Sequence, residues 1–495
     1  MTPQQFEAVV VGAGFGGIGA AIQLRRLGYE NFVILERAAD LGGTWLVNHY
    51  PGLAVDVPAT TYSYFFEPNP NWSRLYSTGT EIKRYANDVA DKYDVRRHMR
   101  FNTAVESAGW DEDAKVWNIA LAGGETIATR ILITATGFLS QPRLPEIPGI
   151  GDFAGKIVHT SDWDDSYNAA GRRIAVIGTG ATAVQLVPEL AEEAADLTVY
   201  QRTPIWVVPK IDFRFPAWAK RLFRRFPLVQ RVIRAITDGI YEFLIYTGLH
   251  HRQLFFRRLN IGATDLAKML RFMQIRDRGL REKLTPDYDL GCKRPTFSNR
   301  YYRTFAKPNA HLHDSGIDHI EADGIVAADG TKNVVDTLVL ATGFDLWEAN
   351  FPAFEIIGRD ERNLGKWWRE NRFQAYQGVS MPCFPNFLSL SSPYAFLGLN
   401  FFNTVEYQMR LMDRLLGEMK RRAADTFEVT VEANAQYLDR MTKLIGDSVF
   451  AVGNCATSRS YYFNPSGEAA LLRPMSARAA IEEASRFPLT DYQFA

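Results

Sequence analysis

Phe153-Ala154-Gly155-Lys156-Ile157-Val158-His159-Thr160-Ser161-Asp162-Trp163-Asp164 lies between two separate glycine-rich signatures, one near the N-terminus and one beginning at Gly178. Plain linkers are rich in Gly, Ser, Pro or charge, whereas this stretch carries an aromatic near each end and an imidazole inside. Taken alone it is an ordered inter-domain segment, with Phe153 and Trp163 as packing anchors and His159 as a satisfied core histidine. Its position makes it the connection between two sites of one chain, so the fold turns on what flanks it.

Upstream, Phe6 to Val11 is a β-branched and apolar run. Gly12-Ala13-Gly14-Phe15-Gly16-Gly17 then opens a helical pattern through Arg26, and Asn31 to Leu35 is a second strand ending in Glu36. A strand feeding Gly-x-Gly-x-x-Gly at the start of a helix lets the backbone approach a pyrophosphate, with Gly12, Gly14 and Gly17 at the three glycine positions. Glu36 stands in register to hydrogen-bond a ribose hydroxyl. Gly42-Gly43-Thr44-Trp45, Tyr50-Pro51-Gly52 and Asp56 form a glycine-bearing loop with a Pro-Gly turn that returns an aromatic and a carboxylate toward the dinucleotide. Asp56 also fits the commoner use of Asp, stabilising a turn. From Asn102 the pattern is short strands and turns, and Ile131-Leu132-Ile133-Thr134 runs into Ala135-Thr136-Gly137 as a buried strand closing over the ligand. Gln141 to Gly149, with three prolines, is a rigid exit.

Downstream, Arg173 to Ile177 leads into Gly178-Thr179-Gly180-Ala181-Thr182-Ala183, with Ala183 replacing the third glycine as the pattern allows. The informative contrast lies at the end of the next strand. The first site reads Ile34-Leu35-Glu36, and the second reads Val199-Tyr200-Gln201 followed by Arg202 and Thr203. Exchanging the acid for an arginine favours a ribose bearing a 2′-phosphate. The first site therefore fits FAD and the second NADPH. Asn333 to Leu340 ends in Ala341-Thr342-Gly343, which implies a return of the chain to the first domain. The expected fold is α/β, with two Rossmann-like dinucleotide domains, the NADPH domain inserted in the FAD domain, and an added helical segment. The expected boundaries are 1–145 for the first part of the FAD domain, 146–335 for the NADPH domain with a helical insertion at about 211–275, and 336–495 for the second part and the substrate-side segment. In that insertion basic residues alternate with aromatic and aliphatic ones, as at Arg221, Phe223, Arg224, Arg225 and Phe226. Such stretches lie on membrane surfaces or, more often, pack an apolar face while arginine stems cover the rim; packing is the expectation.

Composition bounds the partners. The 495 residues carry formal net charge zero, 46% hydrophobic and 23% charged, so no global field draws the chain to nucleic acid. Cys292, Cys383 and Cys455 are widely separated, which argues against a disulfide framework, a zinc site or a redox Cys-x-x-Cys pair and suits a reducing cytoplasm. Met1 to Glu7 has no basic n-region, and no stretch approaches the roughly 20 uninterrupted apolar residues of a spanning helix. No metal site is expected, and the chain reads as a monomer or homodimer.

Together these pieces resemble the class B flavoprotein monooxygenases, and within them the type I Baeyer-Villiger monooxygenases. The family hallmark Phe-x-Gly-x-x-x-His-x-x-x-Trp-Pro/Asp is met at Phe153, Gly155, His159, Trp163 and Asp164. A second pattern is met at Gly43, Trp45, Tyr50, Pro51, Gly52 and Asp56. The resemblance implies NADPH reduction of FAD, addition of dioxygen to give a peroxyflavin, and insertion of one oxygen beside a ketone carbonyl. It implies Arg294, in Lys293-Arg294-Pro295, as the catalytic cation stabilising negative charge, with Asp56 as its partner. It places Lys293 beside Arg202 and Thr203 on the 2′-phosphate, Thr44 and Tyr62 with Trp45 at the first site, Thr182 at the second, and Phe153, Gly155, His159 and Trp163 in domain coupling. Family members carry a tryptophan-containing loop over the site, where this chain has Tyr461 and Tyr462. An N- or S-oxygenating flavin monooxygenase is the nearest alternative, and Asp164, Asp56 and Arg294 count against it. A disulfide reductase would need paired cysteines beside the flavin.

Overall fold

The computed structural model describes residues 4–398 and 400–495, the side chains of 245 and 247 excepted. Met1–Pro3, the first residues of the stretch read for a basic n-region, lie outside the described residues. The first β-α-β unit is β1 (Gln4–Val11), α1 (Phe15–Arg26) and β2 (Phe32–Leu35), with Val9 opposite Val33 in a parallel pair. The two strands bury Val9, Val10, Ile34 and Leu35, the continuous apolar run of strands covered on both faces. α2 (Thr44–Val47) carries Trp45, and α3 (Gly79–Lys92) starts where the Thr78 side chain caps the Glu81 N–H. β3 (Met99–Arg100) extends the sheet beyond β2. β4 (Val105–Asp111), β5 (Val116–Leu121) and β6 (Thr126–Thr134) run as an antiparallel meander, and β6 returns parallel to β1.

The second sheet is wholly parallel. β7 (Lys156–His159), β8 (Arg173–Ile177), β9 (Asp196–Tyr200), a later strand and a closing strand form it, with α4 (Ala181–Glu193) packed on it. β7 is built from the middle of the quoted stretch, so that stretch is an edge strand of this sheet as well as a connection. The chain then forms β10 (Val207–Val208) and leaves the sheet for α5 (Ala217–Arg225), α6 (Pro227–Leu249) and α7 (Leu254–Gln274). It comes back through β11 (Thr296–Phe297), paired parallel to β10, so Lys293-Arg294 sits at the neck of the helical excursion. β12 (Ala310–His313) pairs with β9, and a small antiparallel sheet follows: β13 (Ile317–Glu321), β14 (Gly324–Ala327) and β15 (Lys332–Val334).

β16 (Thr337–Leu340) corrects the expected return point at residue 336. It pairs parallel with both β8 and β7 in the second sheet, giving the order β12-β9-β8-β16-β7. The return to the first sheet comes at β17 (Glu355–Ile357) on β4 and β18 (Phe387–Ser389) on β6. A strand running into Ala-Thr-Gly is the same local signal in either sheet, and only pairing distinguishes them. The helix Phe401–Arg422 then packs on α1, where Phe402 meets Phe15 and Tyr62 at ring distances of 4.7 and 4.9 Å.

Two further expectations are corrected. Cys292 and Cys455 form a disulfide across 163 residues, so the cysteine argument for a reducing compartment falls; spacing along the chain gave no sign of a pair made by folding. The helical insertion packs inward only in part: α5 buries Ala219 and Phe223 and α7 buries Ala267 and Leu270, but α6 does not turn its apolar face inward. α6 buries Gln230 and Arg234 and exposes Leu228, Val232, Ile236 and Ile240. Among the described residues no helix is long and apolar enough to cross a membrane, and no His/Cys/Asp/Glu group could hold a metal ion.

Candidate active site

The two dinucleotide cradles are built by one repeated set of bonds. In the first, Gly12 N–H donates to Leu35 O at 2.8 Å and Ala135 N–H to Val11 O at 2.8 Å. In the second, Gly178 N–H donates to Tyr200 O at 3.1 Å and Ala341 N–H to Ile177 O at 3.0 Å. Gly12 and Gly178 hold φ of +106° and +118°, and a Cβ on either would lie 2.6 or 2.4 Å from the carbonyl oxygen of Ala135 or Ala341. Both conformation and space demand glycine. Ala341-Thr342-Gly343 therefore closes the second cradle as Ala135-Thr136-Gly137 closes the first. The expectation that the chain has returned to the first domain at this point is corrected.

Above each turn a helix begins without a side-chain cap, α1 at Gly14 and α4 at Gly180. Their N-terminal amides and dipoles are left for an anion. Glu36 is buried and holds the first turn, accepting from the N–H of Ala13 at 2.7 Å and of Ala38 at 2.9 Å. Gly137 N–H donates to Ser391 Oγ at 2.9 Å, and Asn350 Nδ2 donates to Gly137 O at 2.6 Å. Neither Ser391 nor Asn350 carries a local signal. Trp45 Nε1 donates to the Tyr62 hydroxyl at 3.1 Å, and burial pushes the Tyr62 pKa up. Gly17 and Ala183, expected among the cofactor contacts, are packing positions instead: a Cβ on Gly17 would sit 1.8 Å from Gly12 O, and Ala183 is fully buried.

A cavity of about 1460 Å³ runs through both cradles. Apart from Gly17 and Ala183, it is lined by the expected residues of the two sites, Arg294 and Asp56 included. At the second cradle the cations Arg143, Arg202, Lys293 and Arg459 line it together. Burial and the charge of Arg202 push Lys293 down to about 8. Burial, Arg459 and Arg143 likewise push Arg202 down. Four cations gathered at one end of a cavity, with the charge of Arg202 lowering Lys293 and those of Arg459 and Arg143 lowering Arg202, suit a phosphate dianion. Gln201, at the position of the missing acid, donates its side-chain amide to Lys283 O at 2.8 Å. Arg143 lies in the proline-rich exit and Arg459 in the C-terminal loop, so proximity in sequence revealed neither.

Arg294 and Asp56 meet between the cradles. Arg294 Nε donates to Asp56 Oδ2 at 2.6 Å and Nη2 to Oδ1 at 2.8 Å, while Nη1 donates to Gly398 O at 3.3 Å. The side chains are 16% and 25% exposed. Burial opposes the charge on Arg294, but the Asp56 carboxylate and its hydrogen bonds outweigh it and hold the guanidinium well above its usual range. Tyr461 and Tyr462 lie against Arg294, and burial pushes both phenols up despite that cation, so they stay neutral. Trp347 Nε1 fixes their loop by donating to Tyr461 O at 2.9 Å. The disulfide ties Cys292, two residues before Arg294, to the same loop, and neither cysteine lines the cavity.

The hallmark residues lie outside the cavity. Phe153 packs in the core between the second sheet and β13–β14, and Trp163 packs in the core under α4. A Cβ on Gly155 would sit 2.5 Å from the Phe153 ring and 2.6 Å from Asp336 O, so no larger residue fits. Burial pushes His159 below its usual pKa; its Nδ1 bonds Ser161 Oγ at 2.7 Å and its Nε2 lies 3.4 Å from Thr342 Oγ1. Asp164 pairs with Lys156. Through Thr342, His159 touches the point where the chain passes between domains. Arg143 N–H donates to Gly343 O at 2.9 Å and Asp345 N–H to Gln141 O at 2.8 Å, so the outward and return crossings lie side by side.

Two glycine cradles on parallel sheets, one cavity through both and a buried cation between them define a two-dinucleotide oxidoreductase. A family model for pyridine nucleotide-disulphide oxidoreductases matches residues 6–232. A Baeyer-Villiger monooxygenase of Streptomyces coelicolor is 36% identical over 99% of this chain and 93% of its own length. One of Pseudomonas aeruginosa is 37% identical over 93% and 85%. A crystal structure of cyclohexanone monooxygenase in its closed form superposes with TM-score 0.87 at 27% identity, covering all of both chains. An NADP+-bound cyclohexanone monooxygenase from Rhodococcus sp. Phi1 gives 0.86 at 26% identity over 100% of this chain and 99% of that one. The chain belongs to the Baeyer-Villiger monooxygenases.

Proposed function

We propose that this enzyme uses FAD and NADPH to insert one oxygen atom of dioxygen beside the carbonyl of a small-molecule ketone, giving an ester or lactone. Ketone, dioxygen, NADPH and a proton give ester, NADP+ and water. The observation that carries the reading is the Arg294–Asp56 pair, set in the cavity between the two cradles.

The residues fit both groups. Gly12, Gly14, Glu36, Gly43, Thr44, Trp45, Tyr62 and Ala135–Gly137 would hold FAD. Gly178, Gly180, Thr182, Arg202, Thr203, Lys293 and Ala341–Gly343, joined by Arg143 and Arg459, would hold NADPH. When bound, these groups supply the hydride and the reaction with dioxygen. The protein supplies electrostatics and position. Arg294 stays charged at any working pH, and Asp56 fixes its plane, so a fixed cation faces the negative charge that develops on oxygen as the carbonyl is attacked. Tyr461 and Tyr462 set neutral phenols beside that cation, and Tyr461 lines the cavity. His159 couples the second sheet to the domain crossing and moves no proton.

The test is product analysis with cyclohexanone as probe, comparing the wild type with Arg294→Lys. The charge is kept but the bidentate geometry is lost. Ester formation should fall about 100-fold or more, while NADPH is still oxidised to NADP+ and its two electrons pass to dioxygen, which is released as hydrogen peroxide. Ester formation surviving in Arg294→Lys would remove the arginine from this role.

A further inference from the structure

We infer that the helical insertion α5–α7 is a docking surface for an anionic lipid bilayer, lying in its interface without crossing it. Of the 23 large apolar side chains exposed on the described chain, 18 lie between Ile211 and Met273. Exposed apolar residues are ordinarily scattered singly, and a contiguous patch marks an interaction site. Here they form stripes. Leu228, Val232, Ile236, Ile240 and Phe243 follow helical steps of four and three along α6. Phe255, Leu259, Leu266, Met269 and Met273 share one face of α7, which packs beside α6.

The inward face of α6 is the second observation. Gln230 donates to Asn69 O at 2.6 Å, Arg234 to Ser63 O at 2.9 Å, and the Tyr241 hydroxyl lies 3.4 Å from that of Tyr76. The helix holds the protein with its polar side and offers its apolar side outward, the reverse of a helix facing water.

Charge selects the occupant. Residues 211–275 expose nine arginines and lysines, Arg221, Arg224, Arg225, Arg257 and Arg258 among them, against one exposed carboxylate, Asp265, in a chain whose net charge is zero. An apolar face rimmed by cations is the pattern of a helix seated at the headgroup boundary of acidic lipid. A second copy would bring the same cations face to face, because a two-fold interface pairs a patch with itself.

The test is sedimentation of the FAD-loaded enzyme with phosphatidylcholine vesicles, with and without phosphatidylglycerol, alongside its solution mass by light scattering. Binding should be about ten-fold tighter with phosphatidylglycerol and should weaken as salt rises. Ile236→Glu with Ile240→Glu, and separately Arg224→Glu with Arg225→Glu, should each lower binding about ten-fold at unchanged melting temperature and NADPH oxidation. The inference is overturned if both kinds of vesicle leave the enzyme in the supernatant. It is equally overturned if the wild type is a dimer that Ile236→Glu splits, since a second copy then covers the face.

Discussion

Gln185 of α4 exchanges two hydrogen bonds with the backbone of Ala54: its Nε2 donates to Ala54 O at 3.0 Å, and its Oε1 accepts from Ala54 N–H at 3.2 Å. A side chain of the second domain thus grips the loop of the first, two residues before Asp56. Removing both bonds costs about 1–2 kcal/mol and frees the loop that aims the carboxylate. Gln185→Ala should keep NADPH oxidation near the wild-type rate while the ester formed per NADPH drops and hydrogen peroxide rises. Unchanged coupling, measured by peroxide assay beside product analysis, would mean that the loop holds its place without Gln185.

The Arg294–Asp56 pair predicts two different outcomes at one position. Asp56→Ala leaves a buried cation without its partner, which costs roughly 3–5 kcal/mol and should show as a lower melting temperature. Asp56→Asn keeps the shape and one acceptor, so the fold should hold while ester formation falls. Equal melting temperatures for the two variants would contradict the pairing.

Lys293 gives a pH dependence. Its ammonium is held down to about 8 by burial and by Arg202, so it loses its proton as pH rises through that value, well below the ordinary lysine range. Only the protonated form attracts the 2′-phosphate. The KM for NADPH should therefore be low below pH 8 and climb above it, whereas that for NADH, which lacks the phosphate, should stay flat. Lys293→Met should abolish the climb.

The Cys292–Cys455 bond joins the Arg294 segment to the loop of Tyr461 and Tyr462. Cys455→Ser should cost about 2–5 kcal/mol of stability and raise the KM for the ketone, with that for NADPH little changed. Mass spectrometry after alkylation, with and without reductant, should find two masked thiols, Cys383 being free.

What was legible in the sequence was whatever a few neighbouring residues decide. Gly12 and Gly178 were readable because a strand, a turn and a helix start must follow one another, and Arg202 because it takes the register of Glu36. The Arg294–Asp56 pair, 238 residues apart, came from resemblance and not from spacing. Gln185, Arg143, Arg459 and the disulfide act through partners that only folding brings near, and none has a local period or motif. The misplacement of Ala341-Thr342-Gly343 has the same cause: a strand's residues state that it is buried, not which sheet buries it. The orientation of α6 escaped because periodicity gives two faces without saying which one looks inward.

The paired crossings at Gln141–Arg143 and Gly343–Asp345 have a mechanical consequence. Two chains that pass between bodies separately allow sliding and shear, but two zipped together behave as one ribbon that bends about a single axis. Arg143 belongs to that ribbon: its carbonyl accepts from Thr342 Oγ1 at 2.5 Å, while the residue itself lines the second cradle. A nucleotide phosphate held by Arg143 would therefore act on the ribbon itself, at the place where both chains cross between the two sheets.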